Sequence, residues 1–150
     1  MTTLALDTEF FSALGRGAAA IVLYAIVGVV LIVVGFFAVD LTTEGDLRKL
    51  VREGRPNAVL VSTAGMISMA WIVVISIYAS GATALWQGLT LALVFGLLGI
   101  AVQVAAVRLL ESLVGLDIGD LLADETPRPQ AWVVAGAHIA LGLVVAVAIL

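Results

Sequence analysis

The sequence predicts an all-α integral membrane protein, with four transmembrane helices arranged as two parallel helical-hairpin repeats in one membrane domain, residues 1–150. Three observations lead to this prediction. First, 63% of the 150 residues are apolar and only 12% are charged, whereas a soluble domain carries about 25% charged residues. Second, the chain contains four apolar runs of membrane-spanning length. Third, short matching segments relate the second half of the chain to the first.

The four apolar runs predict transmembrane helices at residues 17–39, 58–79, 84–107 and 131–150. Each is long enough, because a helix needs about 20 residues to cross a hydrocarbon core of ~30 Å. Helices rather than strands are expected, since every backbone amide must find its partner within its own segment. None of the runs contains Lys, Arg, Asp or Glu. This disfavours coupled transport, which usually depends on ionisable groups inside the membrane.

The segment before the first run predicts a permanent helix rather than a cleaved signal peptide. A signal peptide has a basic start and an apolar region of about 7–15 residues. Here Asp7 and Glu9 accompany a single Arg16, and the run is 23 residues long. Residues 4–14 are expected to form a short amphipathic segment on the outer surface. The short connection at residues 80–83 predicts that the second and third helices are antiparallel neighbours.

The basic residues predict the orientation in the membrane. Six of the seven lie in two loops, on one side of the bilayer. The positive-inside rule places these loops in the cytoplasm and both termini outside. Each loop also predicts a short amphipathic helix, with Leu47 on the apolar face of the first and Leu122 of the second available to lie against the membrane surface. The four basic residues of the first loop are a candidate docking site for anionic lipid or a protein partner, although they also act as the topology signal: Arg48, Lys49, Arg52 and Arg55.

The internal repeat rests on three matches that occur in the same order in both halves. Residues 55–61 (RPNAVLV) match 128–134 (RPQAWVV), 45–47 (GDL) match 119–121, and 38–41 (AVDL) match 106–109 (AVRL). Together with GFFAVDLTTEGDL, EGRPNA and TAG in the first half, this pattern resembles the family called domain of unknown function 350. The resemblance implies a small bacterial inner-membrane protein of the YjfL-like kind with this four-helix fold. It implies no established activity and no set of catalytic residues.

His138, Gln103 and Thr63 form the candidate polar site inside the membrane. His138 is the only titratable side chain in a predicted span, and imidazole is the side chain that changes charge near neutral pH. One interpretation is a proton or pH sensor. The other is a neutral imidazole hydrogen-bonded to Ser62, Thr63, Ser68 or Gln103, which has the greater weight because polar groups often join membrane helices in this way.

Two structural contacts are also predicted from the sequence. Asp40 and Arg108 occupy equivalent positions in the two repeats, so we expect a salt bridge between the hairpins. Small residues allow membrane helices to approach closely, and four glycines are the expected packing positions: Gly28, Gly35, Gly65 and Gly136.

The functional prediction is a non-catalytic subunit or scaffold of the inner membrane, which assembles with itself or with a membrane or cytoplasmic partner. The chain has no Cys and one His, which excludes most catalytic and metal-binding arrangements. No cofactor and no nucleic-acid partner are expected, and the lipid bilayer is the expected surrounding. The alternative is a homo-oligomeric channel or passive facilitator for a small solute or ion.

Overall fold

The computed structural model describes residues 2–42, 46–80, 84–115 and 117–150, with side chains from Glu9 onward except those of residues 42, 110 and 114. The helices in these ranges are α1 (Thr2–Thr42), α2 (Leu47–Arg52), α3 (Pro56–Ser80), α4 (Leu85–Val114), α5 (Ile118–Ala123) and α6 (Pro129–Ala148). Four of them, α1, α3, α4 and α6, are long and apolar enough to cross a membrane. The predicted all-α membrane fold with four spans is therefore confirmed.

The predicted amphipathic segment at residues 4–14 is not a separate element. α1 continues without a break from Thr2 to Thr42, so this segment and the first span form one helix. At ~1.5 Å per residue, α1 is roughly twice as long as a hydrocarbon core is thick. The tight link between the second and third spans falls on residues 81–83, which lie outside the described residues.

The two short helices begin at aspartate caps. The Asp46 carboxylate accepts a hydrogen bond from the Lys49 backbone N–H at 3.0 Å, and the Asp117 carboxylate accepts one from the Asp120 backbone N–H at 3.1 Å. Such caps satisfy amides that have no partner in the first turn. Asp117 caps α5 as Asp46 caps α2, so Asp117 is the positional counterpart of Asp46 in the second half of the chain. The sequence match of residues 45–47 with 119–121 is therefore displaced by three residues along the second loop.

The order of elements is long helix, short capped helix and long helix opening at Arg-Pro, and it occurs twice. Proline suits this first helical position because its missing N–H would have no partner there. The order agrees with the predicted internal repeat, although the repeat itself stays a prediction. α3 is the central helix and packs against α1, α4 and α6, while α1 and α6 both pack against α4.

Two clusters of buried apolar side chains hold the bundle together. The mid-bundle core lies between the four long helices and is formed by Leu31, Met69, Ile72, Val73, Ile100, Val145 and Ala146. The loop-end core lies beneath α2 and α5 and is formed by Leu47, Ala58, Val61, Ile118, Leu122, Ala131 and Val134. The apolar face predicted for the first loop packs on the loop-end core through Leu47. Leu122, predicted to lie against the membrane surface, is buried in the same core.

Candidate functional site

A buried polar cluster joins three of the spanning helices. The Gln103 side chain on α4 donates from Nε2 to the Ser68 hydroxyl on α3 and to the His138 carbonyl oxygen on α6, both at 2.8 Å. Gln103 and Ser68 are fully buried and His138 is 3% exposed. Because lipid offers no hydrogen-bonding partner, these contacts fix α3, α4 and α6 against each other.

Three polar atoms of this region are buried and have no hydrogen-bond partner within the described part of the chain. They are Gln103 Oε1, His138 Nδ1 and Ser62 Oγ. The imidazole lies over Gly65, where an added Cβ would be 3.7 Å from His138 Nδ1. An unpartnered buried polar atom costs free energy, so these three atoms mark the least satisfied part of the polar cluster.

The structure corrects the predicted membership of the polar site. Thr63 is exposed on the outer face of α3 and donates its hydroxyl to the Val59 carbonyl oxygen of its own helix at 2.7 Å. The adjacent Ser62 and the later Ser68 face inward instead, because successive helix positions are rotated by about 100°. The hydrogen bond between Gln103 and His138 uses the histidine backbone. The expected bond to the imidazole is not among the contacts of the described residues.

The close contacts between helices involve only some of the predicted glycines. Gly35 packs against Met69 and Gly28 against Val73 on α3, where an added Cβ would lie 3.1 and 3.5 Å from them respectively. Gly136 makes no such contact with the described residues: it is exposed on α6, and no atom of a neighbouring described helix lies within 4 Å of the position of its Cβ.

The tightest approach at the polar cluster is at Gly142, which the sequence analysis missed. An added Cβ there would lie 2.8 Å from Ser68 Cβ and 3.1 Å from its Cα, and nearer still to Ser68 Oγ. Gly142 therefore allows α6 to approach α3 closely enough for the Gln103 contacts to form.

The predicted salt bridge between Asp40 and Arg108 is not formed. Asp40 Oδ2 pairs with Arg48 Nε at 3.0 Å, and Arg108 pairs with Glu111 one turn later at 3.2 Å. Arg48 also lies 5.2 Å above the Phe37 ring. Each charge therefore has a partner close in sequence: Arg48 lies at the start of α2, just after α1, and Glu111 lies on the next turn of α4.

Asn57 ties the two loops together at this end of the bundle. Its side chain is 2% exposed. Asn57 Nδ2 donates to the carbonyl oxygens of Leu121, Asp124 and Thr126 at 3.1, 3.4 and 2.9 Å. Its Oδ1 accepts from the Arg128 backbone N–H at 2.8 Å. In the sequence, Asn57 stood out only as part of the family pattern. Gln130, its counterpart in the predicted repeat, is exposed.

Ion pairs add to this connection. Arg55 pairs with Glu125 of the second loop at 2.6 Å, and Arg128 pairs with Asp124. The N–H and hydroxyl of Thr126, followed by Arg128, lower the pKa of the Asp124 carboxyl to about 2. Asp124 therefore stays ionised at all physiological pH values. We call α2, α5 and residues 124–128 the loop-end platform.

The four predicted docking cations divide into two pairs. Arg48 and Arg55 are held by Asp40 and Glu125 within the chain. Arg52 is exposed, and Lys49 is 68% exposed and 4.0 Å from Glu53. Within the described residues, Arg52 has no ion-pair partner and Lys49 has only this long, exposed one, so both present their charges to solvent at the surface of the platform.

The described residues contain no group of three or more His, Cys, Asp or Glu side chains that could hold a metal ion. The cavity bordered by Gln103 and His138 has a volume of about 10 Å³, the space open to the centre of a water molecule.

Comparison with known proteins shows what this chain resembles. Residues 11–149 match the family described as Domain of Unknown Function (DUF350). A UPF0719 transmembrane protein of Mycolicibacterium paratuberculosis (strain ATCC BAA-968 / K-10) is 36% identical over 135 residues, which cover 89% of each chain. UPF0719 transmembrane proteins of Mycobacterium bovis and Mycobacterium tuberculosis are each 43% identical over 82 residues, 54% of this chain and 53% of theirs. No solved structure matches this chain.

Proposed function

The chain belongs to the DUF350 family of membrane proteins, and from that premise we propose that it is a non-catalytic subunit or scaffold. It docks a partner on its loop-end platform. The single observation that carries this proposal is the Asn57 side chain, which fastens the second loop to the start of α3 through four backbone groups. A loop that only connects two spans needs no such fixed structure, because connecting segments are usually mobile and exposed.

The exposed cations of the platform, Lys49 and Arg52, indicate the chemistry of the partner. Lys49 and Arg52 project from α2, whose opposite face is buried through Leu47. A rigid helix that presents two cations fits an acidic surface on a membrane-associated protein, since complementary charge steers and orients association. We place this platform in the cytoplasm and both termini outside, because most of the basic residues lie in the two loops. The membrane is the bacterial inner membrane, and further copies of the chain can take part in the same assembly.

The test uses charge reversal at the platform and at the opposite end of α1. The double variant Lys49→Glu with Arg52→Glu reverses the charge at both exposed positions of the platform. Arg16→Glu is the matched control, because Arg16 is exposed on α1. Each protein is recovered from native membranes in mild detergent, and the mass and subunit composition of the complex are measured. A stoichiometric second protein that is lost in the platform variant and retained in Arg16→Glu supports the proposal. A complex unchanged in all three refutes docking at the platform.

The second candidate function is a homo-oligomeric channel or passive facilitator, and the observation that favours it is the polar cluster inside the membrane. In a single copy the cavity beside that cluster has a volume of about 10 Å³, so a pathway would need several copies. The discriminating measurement is flux of water and small ions into liposomes that contain only this protein. Flux that falls in His138→Ala supports this candidate, and liposomes as tight as protein-free ones exclude it.

A further inference from the structure

The small cavity at the loop end of the bundle leads from the surface to the polar cluster. Gln103 and His138 form its floor, Val104 and Val107 are part of its apolar wall, and Arg108 and Glu111 lie at its mouth. Gln103, Val107 and Glu111 are spaced four residues apart on α4. They therefore lie along one helix face, about 12 Å from floor to mouth at ~1.5 Å per residue.

The mouth of the cavity opens toward solvent. Arg108 and Glu111 also line an outer groove of about 330 Å³ next to Gly115 and Asp117. The ion pair between them, at 3.2 Å, stands between the groove and the cavity, and the Arg108 side chain is 42% exposed. Beyond the floor, the route is closed by the mid-bundle core, where Ile72 is fully buried and Ile100 is 3% exposed.

Two polar atoms of the floor residues have no hydrogen-bond partner within the described part of the chain. Gln103 Oε1 is an acceptor on a fully buried side chain, and His138 Nδ1 belongs to a residue that is 3% exposed. A buried polar atom left dry costs about 1–3 kcal/mol. A water molecule needs a polar site with two or more partners and a volume of ~10–15 Å³. The cavity meets both conditions, with a volume of about 10 Å³.

We propose that this cavity is a water-binding site reached from the loop end, in which one water molecule bridges Gln103 Oε1 and His138 Nδ1. The water donates one hydrogen to Oε1. Toward the imidazole it donates or accepts according to which ring nitrogen carries the proton. The Gln103 amide is already fixed through Nε2 to Ser68 and to the His138 backbone, so its oxygen is held in place for this ligand. The site gives the buried imidazole contact with solvent on the side of the platform.

The test uses the fact that the chain has one histidine. The full chain, labelled with ¹⁵N only at histidine, is studied in lipid bilayers by solid-state NMR, and transfer of magnetisation from water protons to the imidazole nitrogens is measured. The reference for a dry site is the Ile72 backbone amide in a second, uniformly labelled sample. The expected result is fast transfer to the His138 ring, well above that reference. Transfer at the level of Ile72 would overturn the proposal.

Two variants locate the water and its route. Val107→Leu places a larger side chain in the cavity wall, between the floor and the mouth. The matched control is the same change at Val133, which is 60% exposed on α6. Gln103→Leu removes the acceptor at the floor. We expect transfer to the imidazole to be lost in Val107→Leu and in Gln103→Leu and to be unchanged in Val133→Leu. Fast transfer that survives Val107→Leu in a folded bundle would overturn access from the loop end.

Discussion

Replacing Asn57 with alanine should release the second loop from the start of α3. Asn57 accepts one hydrogen bond and donates to three carbonyl oxygens at 2.8–3.4 Å. Its amide has only two hydrogens, so about three full bonds are lost, each with a net contribution of about 1 kcal/mol. The total of about 3 kcal/mol corresponds to an opening equilibrium on the order of 100-fold more favourable.

The assay is hydrogen–deuterium exchange of the full chain in lipid nanodiscs, read at the backbone amides of residues 121–128. Exchange of these amides reports local opening, so the Asn57→Ala variant should exchange on the order of 100-fold faster there. The amides of the mid-bundle core should be unchanged. Gln130→Ala is the matched control, because Gln130 is the repeat equivalent and is exposed. Equal exchange in the two variants would refute the role assigned to Asn57.

The remaining predictions concern helix packing and ion pairing. Gly142→Ala should lower the stability of the bundle by about 1–3 kcal/mol, because its Cβ would meet the backbone and side chain of α3. Gly136→Ala should leave stability unchanged or slightly raised, and equal thermal unfolding of the two variants in detergent would contradict this packing. Asp40→Arg should cost about 1 kcal/mol and should be rescued by Arg48→Asp but not by Arg108→Asp. Rescue by Arg108→Asp in the same unfolding assay would contradict these ion pairs and would support the predicted salt bridge between Asp40 and Arg108.

The sequence predicted the features that depend on neighbouring residues. Hydropathy along the chain located all four spans, because every segment in lipid must satisfy its own backbone. The caps and prolines that begin the helices are also local. The short helix of the first loop followed from the spacing of Leu47 and its apolar neighbours, since one face of a helix recurs every three to four residues.

The sequence failed where a residue had to choose among partners distant in the chain. The repeat suggested that Asp40 should meet Arg108, but Asp40 pairs with Arg48 at the start of α2 and Arg108 pairs with Glu111 on the next turn of α4. Thr63 and Ser62 look equivalent in the sequence, and only the rotation of α3 decides that Thr63 faces outward. Gly136 and Gly142 are likewise both small, but only Gly142 lies where α6 meets α3.

The sequence by itself therefore determined that this chain is a four-span membrane protein with two charged loops on one side. Its short-range patterns carry that information, because the cost of placing charge or an unpaired amide in lipid applies to each segment separately. Only the tertiary structure decided that Asn57 joins the loops into a platform and that Gln103 and His138 meet at the floor of a cavity. These contacts link residues tens of positions apart, and they depend on the rotation and spacing of whole helices, which hydropathy leaves undetermined.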